Sequence, residues 1–311
     1  MKYHNHKIMM FICATAFSVT ACSNSNSFSD PIDFETPSEA PNPIPTQGTA
    51  KTFTTTADGT YSLAEGETKL FDGVSMAPTT IEIDKNKKFQ TIDGFGYAIT
   101  YSSCYNLMKM NPEARLALLK RIYSTTEGYG VSYARISLGC NDFSSTEYTY
   151  CDKKGSENDP ISNFELYSDE NNYVIPILKE ILSINPSLKI IAAPWTCPKW
   201  MKVADIDTKT PKDSWTDGHL NPDYRETYAK YFVKFIKVMK EKGINIYAVS
   251  PQNEPLNKAN CASLYMPWQE EAPFVKALAT EFKRSGLTTK IYVYEHDKSN
   301  TADYAWNCDK E

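Results

Sequence analysis

Ile244-Asn245-Ile246-Tyr247-Ala248-Val249-Ser250-Pro251-Gln252-Asn253-Glu254-Pro255 runs an apolar, β-branched and aromatic stretch straight into an amide, a carboxylate and a proline. The residues through Val249 alternate as a strand does. Pro251 and Pro255 forbid a helix or a central sheet ladder from continuing beyond it. Glu254 is thereby placed at a strand end, on the rim of a sheet. Taken alone, Asn-Glu-Pro after a strand is also a good polar turn, so its meaning depends on how the other strands end.

Working outward from this stretch, strand and helix patterns alternate. Strands are expected over 89–99, 131–138, 188–195, 244–249 and 290–294, with an accessory edge strand at 79–83. Helices are expected from Pro112 to Tyr123 with Asn111 as cap, from Tyr173 to Ile184, from about Asp223 to Lys242, and from Glu270 to Ser285. In the third helix Tyr228, Tyr231, Phe232, Phe235, Ile236 and Met239 form one apolar stripe. Leu188 to Trp195 is a continuous apolar run of the kind buried on both faces of a parallel sheet. This order predicts an α/β domain, either doubly wound or a (β/α)8 TIM barrel. Asp93-Gly94-Phe95-Gly96 lacks the G-x-G-x-x-G spacing and no Walker run exists, so a nucleotide cofactor has no support. A barrel fits better, because polar and aromatic residues gather at the carboxyl ends of successive strands, the face that holds barrel active sites. Arg135 and Asp142 belong to the second strand, Trp195 to the third, Asn253 and Glu254 to the fourth, and Glu295, His296 and Asp297 to the fifth.

The beginning of the chain concerns location. Lys2 and Lys7 precede an apolar run from Ile8 to Phe17, too short to span a bilayer, and Val19-Thr20-Ala21-Cys22 follows. The expectation is a lipoprotein signal over 1–21, cleavage before Cys22 and lipidation of that cysteine. The protein would then be exported and held at a membrane through the lipid alone. Residues 22–50 are rich in Ser, Asn, Pro and Thr and poor in large apolar side chains, the composition of a flexible tether. Residues 51–88 are expected to contribute to a small β-sandwich, and 89–311 to the barrel.

Composition removes several classes of function. A net charge of −5 with signs interspersed leaves no basic patch for nucleic acid. The 8 cysteines contain no Cys-x-x-Cys pair, so zinc clusters, other metal sites and thioredoxin chemistry have no signature. Cys140 and Cys151 are close enough in sequence to bridge a loop, with buried free thiols as the alternative. The 20 tyrosines and 5 tryptophans offer flat apolar faces that suit a core and also suit sugar rings. Each candidate also has a structural reading: Arg135 as half of an ion pair, Trp195 as packing, His296 as a rim hydrogen-bonder, Asp142 as a loop cap. Their coincidence at strand ends favours a sugar-sized polar cleft.

These residues carry a resemblance to glycoside hydrolase family 30, the retaining β-glycosidases that include glucosylceramidases, β-1,6-glucanases and xylanases. Gln90-Thr91-Ile92-Asp93-Gly94-Phe95-Gly96 resembles that family's entry to the barrel, and Tyr133-Ala134-Arg135-Ile136 its second strand. Asn141-Asp142-Phe143-Ser144, Ala193-Pro194-Trp195-Thr196-Cys197-Pro198 and Gln252-Asn253-Glu254-Pro255 resemble its following motifs in order. The resemblance implies Glu254 as general acid/base, Asn253 on the sugar 2-hydroxyl, and Arg135, Asp142 and Trp195 lining the pocket. His296, in Glu295-His296-Asp297, departs from the Asp-His-Asn expected there, and Tyr97 stands where a smaller residue is common. Retaining hydrolysis needs a second carboxyl about 5–5.5 Å from the first. In the family it is a Glu on the seventh strand, and only about five strands precede Glu311, so the chain is expected to be an incomplete barrel lacking its nucleophile. β-1,6-Glucan is the expected substrate, with glucosylceramide or xylan as alternatives within the family. A non-catalytic surface glycan-binding lipoprotein is the alternative outside it, and oligomeric state is left open.

Overall fold

The computed structural model describes residues 44–72, 79 and 81–297. The expected signal at 1–21, Cys22 and the tether up to residue 43 lie outside the described residues. Two units divide the chain between Phe89 and Gln90. The first contains an antiparallel ribbon of β1 (Ile44–Thr54) and β2 (Ala64–Asp72). Residues 44–50, assigned to the tether on composition, belong to β1. A two-stranded ribbon is held by its ladder hydrogen bonds and β-branched threonines, so it forms without the large apolar residues whose scarcity suggested a tether. The strand expected at 79–83 is absent from 81–83, where Ile81 and Ile83 are exposed.

In the second unit a five-stranded parallel sheet comprises β3 (Gly96–Ala98), β4 (Tyr133–Ser137), β5 (Lys189–Ala193), β8 (Ile246–Val249) and β9 (Lys290–Ile291). Two short strands, β6 (Lys202–Val203) and β7 (His219–Leu220), pair in the connection after β5. Between sheet strands lie α1 (Tyr101–Lys109), α2 (Pro112–Tyr123), α3 (Ile175–Ile184), α4 (Arg225–Glu241) and α5 (Trp268–Arg284). The five sheet strands neighbour one another in sequence order. A doubly wound sheet reverses order at a switch point, whereas single winding is the path of a barrel. The arrangement is therefore part of a (β/α)8 barrel.

Local chemistry accounts for the elements. At α2, Asn111 Oδ1 accepts from the N–H groups of Glu113 (2.9 Å) and Ala114 (3.4 Å), Pro112 occupies the first turn, and Lys120 and Arg121 the last. Asn111→Ala is expected to lower stability by about 1 kcal/mol in urea denaturation. The predicted stripe of α4 is wholly buried. Its Tyr228 ring stacks on Phe274 of α5 at 5.0 Å, and the Tyr231 hydroxyl accepts from the Tyr150 N–H at 3.0 Å. Helix α1, which opens at the Thr100 cap, has no counterpart in the sequence reading, because its short polar face interrupts the helical period. Cys140 and Cys151 are separate buried thiols.

A π-helical turn, Glu170–Val174, precedes α3 and buries Glu170 to 4 % exposure. The Tyr148 hydroxyl donates to Glu170 Oε1 at 2.7 Å, but burial dominates and pushes the carboxyl up to about 7. With the folded value above the ordinary 4.5, the unfolded chain releases its proton first as pH rises. The Glu170 contribution to stability therefore falls from about pH 4.5 to about pH 7 and stays lowered above it. Glu170→Gln is expected to match the parent near pH 4 and to exceed it by about 3 kcal/mol at pH 8 in urea denaturation.

Candidate active site

Strand alternation separates two faces of β4. Ala134 and Ile136 are buried in the core against the helices, while Tyr133, Arg135 and Ser137 occupy the opposite, inner face. Near the amino ends of the strands Tyr133 donates to Asp93, which Lys189 also holds at 2.6 Å. The hydrogen bond from Lys189 is the main reason the Asp93 carboxyl is lowered to about 2. This polar layer serves the scaffold end of the sheet. The carboxyl end is organised by Arg135.

The Arg135 guanidinium draws three strand ends together. Its Nε donates to Glu295 Oε1 in an ion pair, and its terminal nitrogen donates to Asn253 Oδ1 at 2.8 Å. It also lies 4.7 Å from the centre of the Trp195 ring, a cation–π distance. The backbone locks the same group. Asn253 N–H donates to Pro194 O (2.8 Å), Glu254 N–H donates to Glu295 O (2.9 Å), and an isolated parallel bridge joins Asn253 to Glu295. Trp195, Asn253 and Gln252 are buried, and Gln252 Nε2 donates to Trp195 O at 2.7 Å.

Glu254 is half-buried and has φ of +43°, a left-handed conformation that costs a non-glycine residue on the order of 1–3 kcal/mol. The bond to Glu295 O and a hydrogen bond from Asn257 N–H to Glu254 O (2.8 Å) hold it there. Its carboxyl is clamped as well. Asn257 Nδ2 (2.7 Å) and Asn260 Nδ2 (2.8 Å) both donate to Oε2. Those two bonds occupy the lone pairs of Oε2, and neither amide touches Oε1.

Buried polar atoms around this group lack partners among the described residues: Trp195 Nε1, Gln252 Oε1, Glu295 Oε2 and His296 Nε2. Donors and acceptors mixed at one strand-end rim suit a ligand that both donates and accepts, as sugar hydroxyls do. His296 is placed beside Glu295, with its Nδ1 accepting from Asp297 N–H (2.8 Å) and its ring stacked on Tyr294. Asp142 stands apart. It is exposed on the loop after β4 and makes no hydrogen bond or ion pair with another described residue. Tyr97 is 46 % exposed, its ring 6.3 Å from that of Tyr123.

The structure thus brings together Arg135, Trp195, Asn253 and Glu254, and adds three residues that motif reading did not assign. Glu295 shares the Arg135 charge, and Asn257 and Asn260 clamp Glu254. The signal for Glu295 was its place at the end of the fifth strand. The two asparagines are separated from Glu254 by three and six residues in an irregular loop, and no periodicity marks such contacts.

Residues 92–281 match the glycosyl hydrolase family 30 TIM-barrel domain. A solved endo-beta1,6-glucanase, BT3312, is 51 % identical, with a TM-score of 0.75 over 84 % of this chain and 56 % of that one. The endo-1,6-beta-D-glucanase BGN16.3 of Trichoderma harzianum is 30 % identical over 84 % of this chain and 55 % of its own length. The mouse (Mus musculus) lysosomal acid glucosylceramidase is 31 % identical over 56 % of this chain and 33 % of its own. The chain spans about half the length of the curated relatives it matches.

Proposed function

The chain belongs to glycosyl hydrolase family 30, and from that premise we propose that its site acts on β-linked glucan, specifically β-1,6-glucan, by a retaining double displacement. The observation that carries the linkage is the 51 % identity with the solved endo-beta1,6-glucanase. Glu254 is the general acid/base in this reading. Its Oε1 gives a proton to the leaving oxygen, while the Asn257 and Asn260 amides steady Oε2 as charge develops there. Asn253, oriented by Arg135, binds the 2-hydroxyl of the reacting ring, an interaction that strengthens as the ring flattens toward the oxocarbenium-like state. Trp195 and Arg135 line the ring, and His296 stands beside Glu295 at the same rim. The nucleophile is a second glutamate that this reading assigns to no residue of 1–311. Glu295 is not given that role because it follows the fifth sheet strand, β9, and does not occupy the matching position.

Purified protein should be titrated with, and assayed on, β-1,6-glucan, β-xylan and glucosylceramide. The expected result is selective binding of β-1,6-glucan, with hydrolysis only where the second carboxylate is present. Preference for either other glycan would refute the linkage. No helix among the described residues is long and apolar enough to cross a membrane. The residues before 44 support export with lipidation at Cys22, and a Cys22→Ser variant is expected to leave the membrane fraction.

A further inference from the structure

The loop that clamps Glu254 is itself held by a buried cation. Lys202, the first residue of β6, is 2 % exposed. A charge removed from water needs polar partners, and Nζ donates to three neutral ones: Ser263 O (2.9 Å), Thr196 Oγ1 (3.2 Å) and Trp215 O (3.4 Å). They come from three connections. Thr196 directly follows Trp195 at the end of β5, Trp215 precedes β7, and Ser263 lies in the loop after β8. That last loop closes on itself through Met266 N–H to Pro255 O (2.8 Å), and it docks on the second connection through Ser263 N–H to Trp215 O (2.9 Å) and Tyr265 N–H to Gly218 O (2.8 Å). Asn257 and Asn260 lie between its ends. Gly218, at φ +84°, packs beside the lysine stem, where a Cβ would come within 3.3 Å of Lys202 Cε.

We propose that Lys202 is a positioning residue: by binding three connections at once, its ammonium fixes the loop 255–266, and through Asn257 and Asn260 it fixes the Glu254 carboxyl. This deepens the proposed glycosidase site and rests on it for the role of Glu254. The titratable groups facing Nζ are Cys140 after β4, Cys197 after β5, Lys212 and Asp217 before β7, and Cys261 of the loop, which is hydrogen-bonded to Glu147. Lys212 and Asp217 pair with each other at 3.1 Å, and burial pushes both Cys140 and Cys197 up to about 12, so neither thiol is a counter-ion near neutral pH. Burial lowers the Lys202 ammonium to about 8. An ammonium offers three N–H donors and a neutral amine two, so deprotonation removes one of the three N–H donors that hold these connections and, with it, the charge that strengthens all three.

This gives two readouts of opposite sign. The folded value lies below the ordinary 10.5, so between about pH 8 and 10.5 the unfolded chain holds more protons and the Lys202 contribution to global stability rises with pH. Loop order falls over the same range. A contact that serves stability alone would move both together.

The test is hydrogen exchange of the Ser263, Tyr265 and Met266 amides, corrected for intrinsic rates, with titration of β-1,6-linked glucotetraose in parallel. In the parent chain, protection at these amides is expected to fall about tenfold from pH 7 to pH 9.5, while the amides of β8 hold. In Lys202→Met the same loss is expected already at pH 7, with glucotetraose affinity within a few-fold of the parent. Unchanged loop protection in both series overturns the proposal. If Lys202→Met does not fold, the pH series of the parent decides alone. If the parent binds no glucotetraose, the proposed function fails, and the exchange data still judge Lys202.

Discussion

Glu254→Gln is expected to lower hydrolysis of β-1,6-glucan about 10³-fold in the form of this protein that turns it over, with glycan affinity within a few-fold of the parent. The amide oxygen of glutamine can accept from Asn257 and Asn260 where Oε2 now does, so the side chain keeps its pose. What disappears is the proton on the other atom. A glucoside with an activated aryl leaving group needs less protonation and should lose less in its first step. Azide, which needs no general base, should then restore turnover as a β-glycosyl azide. Equal hydrolysis by parent and variant would remove Glu254 from the chemistry. Weak binding by the variant would instead make it a sugar contact.

Arg135→Met is expected to weaken glycan binding about 10³-fold, to the limit of detection by calorimetry. One guanidinium orients Asn253, faces the Trp195 ring and neutralises Glu295, so its removal disturbs three strand ends at once. It also leaves the Glu295 carboxylate without its counter-ion in a half-buried position, which should destabilise the fold by about 2 kcal/mol. The double variant Arg135→Met/Glu295→Gln separates the two effects. Stability should largely return, because no unpaired charge remains, whereas binding should not. Recovery of both would mean that Arg135 only balances charge.

The parts of the barrel that were legible are those in which a local pattern has one good solution. The stripe from Tyr228 to Met239 can bury its aromatic rings on one side only as a helix, and it does so. The Asn111-Pro112 start of α2 was readable because a cap is a contact between neighbours in sequence. The strand expected at 79–83 failed at 81–83 because β-propensity states what a segment tolerates, and pairing depends on a partner. The beginning of β1 was hidden for the converse reason: its partner β2 supplies what its own composition lacks.

The candidate site divides in the same way. Strand-end position identified Arg135, Trp195, Asn253 and Glu254, since parallel strands wound in one direction must deliver their carboxyl ends to one face. Asp142 was placed with them because it follows the same strand as Arg135, yet the loop after β4 carries it to the surface. Alone, the sequence determined which residue types arrive at that face and in what order. Only the tertiary structure decided that Glu295 is the counter-ion of Arg135, that two asparagines hold one oxygen of Glu254, and that Lys202 supports their loop. Those contacts join residues up to 160 positions apart or lie within irregular backbone. Hydrogen bonds form between atoms about 3 Å apart in space, a condition that no one-dimensional period encodes.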